Sequence, residues 1–412
     1  NNTYNGTAGQ ASVKTDGGNA MPSTANGNKL GIDPHFAGAA SDDFHLGSGS
    51  AAIDGGTAKY GVSSVDLDGD ARVVGTVDMG AYESGSAPVS GTPSTPTQPT
   101  EPTTQPTTPT TSTTVYTGTN GNDILPHTGQ SNGGNETFKG LGGSDVLKGG
   151  AGADLLDGGS GNDTASYDGS SAVNVNLATG AASGGHATGD KFVSIENLTG
   201  SSYDDVLTGG NGGSNVLNGG AGADKLSGGA GGDVINGGAG QDTAGYAGSG
   251  AVNVNLATGA ASGGHATGDK FVSIENLTGS SYNDVLTGNS GSNVLDGGAG
   301  ADILTGGGGG DTFVFNVKPD NISVDKIRDF SSAAGDKLML DHSIFAALSL
   351  SGFSDENFVL GTKALEADDK LIYDKASGIL SYDADGSAAG AAIHVADLDN
   401  SAALHFNDFL LV

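Results

Sequence analysis

One nine-residue phrase, G-G-x-G-x-D-x-U-x with U a bulky apolar residue, recurs along this chain between Gly140 and Val314. GLGGSDVLK, GGAGADLLD and GGSGNDTAS run without a break from Gly140 to Ser166. GGAGADKLS, GGAGGDVIN and GGAGQDTAG do the same from Gly219 to Gly245, and GGAGADILT with GGGGGDTFV from Gly297 to Val314. Glycine takes positive φ at little cost, so the first half of the phrase can turn sharply and aim its carbonyls inward. The Asp adds a hard anionic oxygen, and calcium collects six to eight such oxygens. The x-U-x triplet is long enough for a short strand with U pointing into a core. A period this short and regular implies a stacked β-coil in which each turn buries the next.

The phrase resembles the repeat of the RTX (repeats-in-toxin, haemolysin-type calcium-binding) family of secreted bacterial proteins. The resemblance implies a parallel β-roll with two nonapeptides per turn, each loop stacking on the loop two repeats later, and one calcium between each stacked pair. Carried over by position, the metal-facing carboxylates are Asp145, Asp154, Asp163, Asp205, Asp224, Asp233, Asp242, Asp284, Asp302 and Asp311, with Asp123 in GTNGNDILP a weaker match. The core positions are Leu147, Leu156, Leu207, Leu226, Ile235, Leu286, Leu304 and Phe313. Asn215 and Asn293 stand where Asp is expected. An amide carbonyl can ligate calcium but carries no charge, so weaker binding is expected there. Ala165 and Ala244 occupy U positions just before a block ends and fill less of the core. Between Pro126 and Lys139 the register is lost, Glu136 replaces the Asp, and no full site is expected.

Charge and composition agree with this reading. The chain has 412 residues, 75 of them Gly, and 47 Asp and Glu against 16 Lys and Arg, for a formal net charge of -31. Such a surface repels nucleic acid and anionic membranes and attracts hard cations. There is no Cys, hence no disulfide framework and no thiol chemistry. Metal is then the expected staple, and repulsion plus glycine entropy should leave metal-free repeats unfolded. No apolar run approaches the ~18 residues that a membrane span needs. NNTYNGTAGQ has neither an initiator Met nor a secretory-signal pattern, so the chain is expected to be a processed or C-terminal part of a longer protein.

Four zones are expected. In residues 1–84, DPHFAG, DFHLGSGSAAIDGG, DLDGDAR and VDMGAYES follow one another in an order that resembles the end of secreted right-handed parallel β-helix proteins, among them polysaccharide lyases, epimerases and adhesins. DLDGD lacks the later Gly and Glu of an EF-hand and reads as a turn between rungs. Residues 85–114 are a Pro/Thr-rich, disordered spacer. Residues 115–315 hold the repeats and also a longer period: Ala172 to Tyr203 recurs unchanged at Ala251 to Tyr282, an offset of 79 residues. Within that duplicate, NVNL and KFVSIENL read as strands continuing the coil with longer turns. His186, Asp190 and Glu196, with their copies His265, Asp269 and Glu275, read as polar loop and strand-end charges, a repeated binding element being the second reading. Residues 316–412 resemble the C-terminal region of serralysin-type proteases and other type I secretion substrates, down to the ending NDFLLV. That resemblance implies an uncleaved secretion signal, while the same strands would cap the roll. SIFAALSL reads as a helical turn or two.

The expected fold class is therefore all-β: a right-handed parallel β-helix end, a linker, a calcium-loaded parallel β-roll and a C-terminal β cap. No H-E-x-x-H or P-loop is present, so catalysis by this chain is not expected. Two functions compete. One is a secreted, calcium-binding folding module that uses the type I secretion machinery. The other is the tail of a carbohydrate-active β-helix enzyme, or of an adhesin, with extracellular polysaccharide as partner. In that case Tyr4, His35, Phe36, His45 and Tyr82 are the groove candidates, although rung packing explains each of them as well.

Overall fold

A turn of glycines followed by a strand of two or three residues cannot bury its own apolar side chain. Two such units closing one coil can, provided that coil after coil is stacked in register. The computed structural model describes residues 114–129, 132–388 and 390–412, together with four strands near the N-terminus. The chain divides into two units, 1–107 and 108–412.

In the first unit Asn2–Tyr4 pairs antiparallel with Val13–Thr15, and Phe36–Gly38 pairs antiparallel with Asp43–Leu46. The β-helix rungs expected for 1–84, and the spacer up to 113, otherwise lie outside the described residues. So do the side chains of Tyr4, His35, Phe36, His45 and Tyr82.

The second unit is a parallel roll in which successive repeats alternate between two sheets. The first sheet stacks Val115–Thr117, Thr137–Lys139, Leu155–Asp157 and Lys191–Val193. The second stacks Ile124–Leu125, Val146–Leu147, Thr164–Ser166, Asn197–Thr199, Val216–Ala221, Val234–Ala239 and Lys270–Val272. Strand burial alternates with period two, so U faces in and its neighbours face out. Leu147, Leu156, Leu207, Ile235, Leu286, Leu304 and Phe313 are fully buried and Leu226 nearly so. Each side chain of this size contributes about 1.5–3 kcal/mol by leaving water.

The turns admit only glycine where one coil lies against the next. Gly161 has φ 146° and Gly240 φ 150°, and a Cβ on either would collide with the carbonyl oxygen of Gly143 or Gly222 one coil earlier.

The duplicated segment does more than continue the coil. In its first copy Lys191–Val193 adds the last strand of the first sheet, while Asn174–Asn176 founds a third. That third sheet then runs through Val206–Thr208, Lys225–Ser227, Thr243–Gly245, Asn276–Thr278, Val294–Asp296, Thr312–Phe315, Lys337–Leu340 and Phe409–Leu411. In the second copy Lys270–Val272 ends the second sheet and Asn253–Asn255 founds a fourth, which continues through Val285–Thr287, Ile303–Thr305, Asp325–Ile327 and Ile393–Leu398. Each founding strand is covered on its free edge by an antiparallel partner, Ala181–Ser183 or Ala260–Ser262. KFV thus continues the coil as expected, whereas NVN starts a new face.

The C-terminal zone carries both surviving sheets onward before closing them. An antiparallel meander of Leu371–Asp374, Ile379–Tyr382 and Ile393–Leu398 finishes the fourth sheet, with Phe358–Leu360 at its edge. SIFAALSL forms turns rather than a helix. Phe345 and Leu348 anchor it in the core, with the Phe345 ring edge-on to Tyr382 at 5.1 Å. No helix among the described residues is long and apolar enough to cross a membrane.

Candidate metal centre

Each repeat places its Asp directly before a strand, at the inner rim of the turn, and stacking then repeats that placement coil after coil. The backbone N–H of Asp145 donates to Oδ1 of Asp163 (2.8 Å), that of Asp224 to Asp242 (2.8 Å) and that of Asp284 to Asp302 (2.7 Å). The same link joins Asp123 to Asp145, Asp205 to Asp224, Asn215 to Asp233 and Asn293 to Asp311. One oxygen of each such carboxylate is therefore consumed in holding register. The other has no donor: Oδ2 is buried and without a partner in Asp145, Asp154, Asp163, Asp224, Asp233, Asp242 and Asp302.

These oxygens converge with carbonyls. A Cβ built on Gly140 would meet both Oδ2 of Asp145 and the carbonyl oxygen of Gly158 in the next coil. At Gly219 it would meet Asp224 Oδ2 and Gly237 O, and at Gly200 and Gly279 it would meet Asp205 with Gly219 O and Asp284 with Gly297 O. Where Oδ2 has no donor, as beside Gly140 and Gly219, acceptor faces acceptor, an arrangement that a proton or a cation relieves. Hard oxygens, mostly carbonyl with one carboxylate per loop, are the donor set calcium takes. The residues fit that ion. Among the described residues no group of three or more His, Cys, Asp or Glu gathers as a metal cluster, because each loop supplies a single charged side chain.

Electrostatics follow from the same burial. Burial raises the carboxyl of Asp154 to about 7, aided by the negative charges of Asp190 and Glu136. It raises Asp224 and Asp311 to about 6 and lifts Asp163, Asp233 and Asp242 above the carboxylate range. Asp302 and Asp325, a tightly coupled pair, are both raised by burial.

The other expected positions differ in instructive ways. Asp123 is half-exposed at the first coil, where the Thr119 N–H (2.6 Å) and hydroxyl (2.9 Å) occupy its Oδ2 and hold its carboxyl low. Asp205 and Asp284 accept from the N–H and hydroxyl of Ser201 and Ser280. Asn215 and Asn293 have a positive reason to be amides. The coil behind them presents the carbonyl of Glu196 or Glu275 instead of an N–H, and the amide Nδ2 donates to it. A carboxylate would set oxygen against oxygen there.

Several residues share the rung position without the glycine loop. Asp154 N–H donates to Asp190, Asp163 to Glu196, Asp233 to Asp269, Asp242 to Glu275, Asp302 to Asp325 and Asp311 to Asp336. Glu136 likewise donates its N–H to Asp154. Asp190, Glu196 and their copies therefore belong to the row of stacked carboxylates and are not merely strand-end charges. Their signal was available: each is an acidic residue two before an inward apolar one, as in DKF, ENL, DKI and DKL.

Fold and site together define a parallel β-roll repeat protein whose coils are lined with cation-seeking oxygens. The model of the RTX calcium-binding nonapeptide repeat matches the chain in 4 copies, over residues 130–165, 194–212, 210–244 and 278–313. Over these residues the chain carries RTX-type calcium-binding nonapeptide repeats. No curated protein matches it.

Proposed function

We propose that residues 108–412 form a folding module that is completed by extracellular calcium and exported by a type I secretion machinery. The observation that carries the reading is the row of buried Asp side chains, each with one oxygen fixed to the backbone and the other without a donor. Asp145, Asp154, Asp163, Asp205, Asp224, Asp233, Asp242, Asp284, Asp302 and Asp311 would hold the ions with loop carbonyls. Asp123, Asn215 and Asn293 would be weaker members. Bound calcium supplies positive charge between facing acceptors, and the protein does the rest by stacking.

Magnitudes support a coupled fold. Extracellular calcium modules bind at about 10⁻⁴ to 10⁻³ M. At tenfold excess over the dissociation constant, linkage gives about 1.4 kcal/mol per site. Seven donorless oxygens, one per site, then imply on the order of 10 kcal/mol, comparable to the whole stability of a domain. Inside a cell, where free calcium lies far below these affinities, a chain of net charge -31 would stay open and suited to a channel that passes unfolded protein. Folding outside would hinder its return. The test is circular dichroism of the purified chain. A β signal should collapse in chelator, return in millimolar calcium and return poorly in magnesium, which requires a tighter octahedron. An unchanged spectrum in chelator would overturn the proposal.

A further inference from the structure

Two of the buried stacked carboxylates carry a tyrosine hydroxyl on the oxygen that seven others leave without a donor. Asp190 and Asp269 stand directly before the last strand of the first and the second sheet, where no following coil stacks on them and so none can offer a carbonyl. Each still accepts the backbone N–H of the coil before it on Oδ1, from Asp154 and Asp233, both at 2.9 Å. Its Oδ2, the oxygen left without a donor at seven other rungs, here accepts a hydroxyl: Tyr167 to Asp190 and Tyr246 to Asp269, both at 2.9 Å. The four side chains are at most 3 % exposed, so water does not share the bond.

We propose that Tyr167 and Tyr246 take the place of a calcium ion and mark where two rows of sites stop. The inference rests on the calcium reading above and says where it ends. The placement is specific. Each tyrosine follows its strand by way of an inward Ala at the U position, Ala165 or Ala244, and its own N–H is tied to the neighbouring coil at Thr199 or Thr278. The small U residue leaves room on the inner face for the large ring two residues on. Flanking residues differ between the copies, SYDGSS against GYAGSG, yet the tyrosine is present in both. A neutral hydroxyl donor suits a coil end, because a cation there would lack the second coil's oxygens.

Calcium content of the full chain, measured by equilibrium dialysis, separates the possibilities. Asp190→Asn and Asp269→Asn should bind as many ions as the wild type, whereas Asp154→Asn and Asp233→Asn should each bind one fewer. Loss of an ion by Asp190→Asn or Asp269→Asn would overturn the inference. The hydroxyl itself is tested by coupling. At fixed calcium, Tyr167→Phe should lower the folding equilibrium constant by about tenfold or more, as expected for a hydrogen bond to a charged group. In an Asp190→Asn background the same change should cost no more than about threefold. Equal costs in the two backgrounds would also overturn it. A wild-type chain that binds no calcium at all would instead bring down the parent reading.

Discussion

A buried carboxylate that gives one oxygen to the backbone and keeps the other unpaired has two ways to lose its charge, by proton or by cation, and the two compete. Asp154, raised to about 7 by burial, would be protonated in the metal-free fold over a range where the unfolded chain has already released its proton. Asp224 and Asp311 behave alike, at about 6. A raised acid favours the fold below its unfolded value and loses that contribution as pH climbs through the folded one. In metal-free buffer the roll should therefore be most ordered near about pH 4 and fail between about pH 5 and 7. With calcium the order reverses, since ligation needs the ionised form. Circular dichroism across pH, with and without calcium, should give two opposed curves, and parallel curves would contradict the assignment. At this scale much was legible. The nonapeptide named the buried Leu, Ile and Phe and the glycine-loop carboxylates directly. Asp325 and Asp336 escaped, and Asp190 and Glu196 were legible only as a second reading, because each expected carboxylate was tied to a glycine turn, whereas the backbone requires only an acid two residues before an inward side chain. The asparagines were legible as departures but not as answers to the Glu196 and Glu275 carbonyls, since that contact joins residues 18 or 19 apart.

Among elements, the duplicated segment is the one whose role could not be read locally. NVN and KFV look alike as short alternating strands, and nothing within either says whether it joins an old sheet or begins a new one. That is decided by which edge is open when the chain arrives. Their ends are managed alike: a hairpin covers each founding strand, and exposed Lys191 or Lys270 opens each terminal one, a charge that discourages further pairing. Because one copy ends a face and founds another, a whole copy should be removable in register. Deleting residues 173–251 joins Ala172 to Val252 and restores the same local sequence. KFV of the remaining copy would then close the first sheet. The expected product is a monomeric β protein that still folds on calcium, with fewer ions bound. Deleting a stretch a few residues shorter, 173–247, breaks the repeat and should give an aggregating chain. Size-exclusion chromatography in calcium distinguishes them, and equal behaviour of the two would argue against modular switching.

For the whole molecule, the C-terminal zone has two tasks that converge on the same residues. Ile393–Leu398 and Phe409–Leu411 extend the fourth and third sheets, and Ser332 ties down Asp408 at 2.7 Å. Removing Leu371 to Val412 should therefore trap the protein inside the cell and, in the purified remainder, raise the calcium needed for half-maximal folding. Removing 1–84 should do neither. Export of the C-terminal truncation at the full-length level would leave this zone as a cap alone. The overall class was legible from period and charge, but that the cap prolongs the coil was not, since its strands lie far from the glycine loops in sequence. The two handovers fall on different sheets: the second sheet runs unbroken past the first, and the third runs unbroken past the second. Like bricks laid with staggered joints, the coils offer no seam that crosses the full thickness. A crack started at either junction meets an intact wall, so the roll should yield to heat or force in one step rather than part into three blocks.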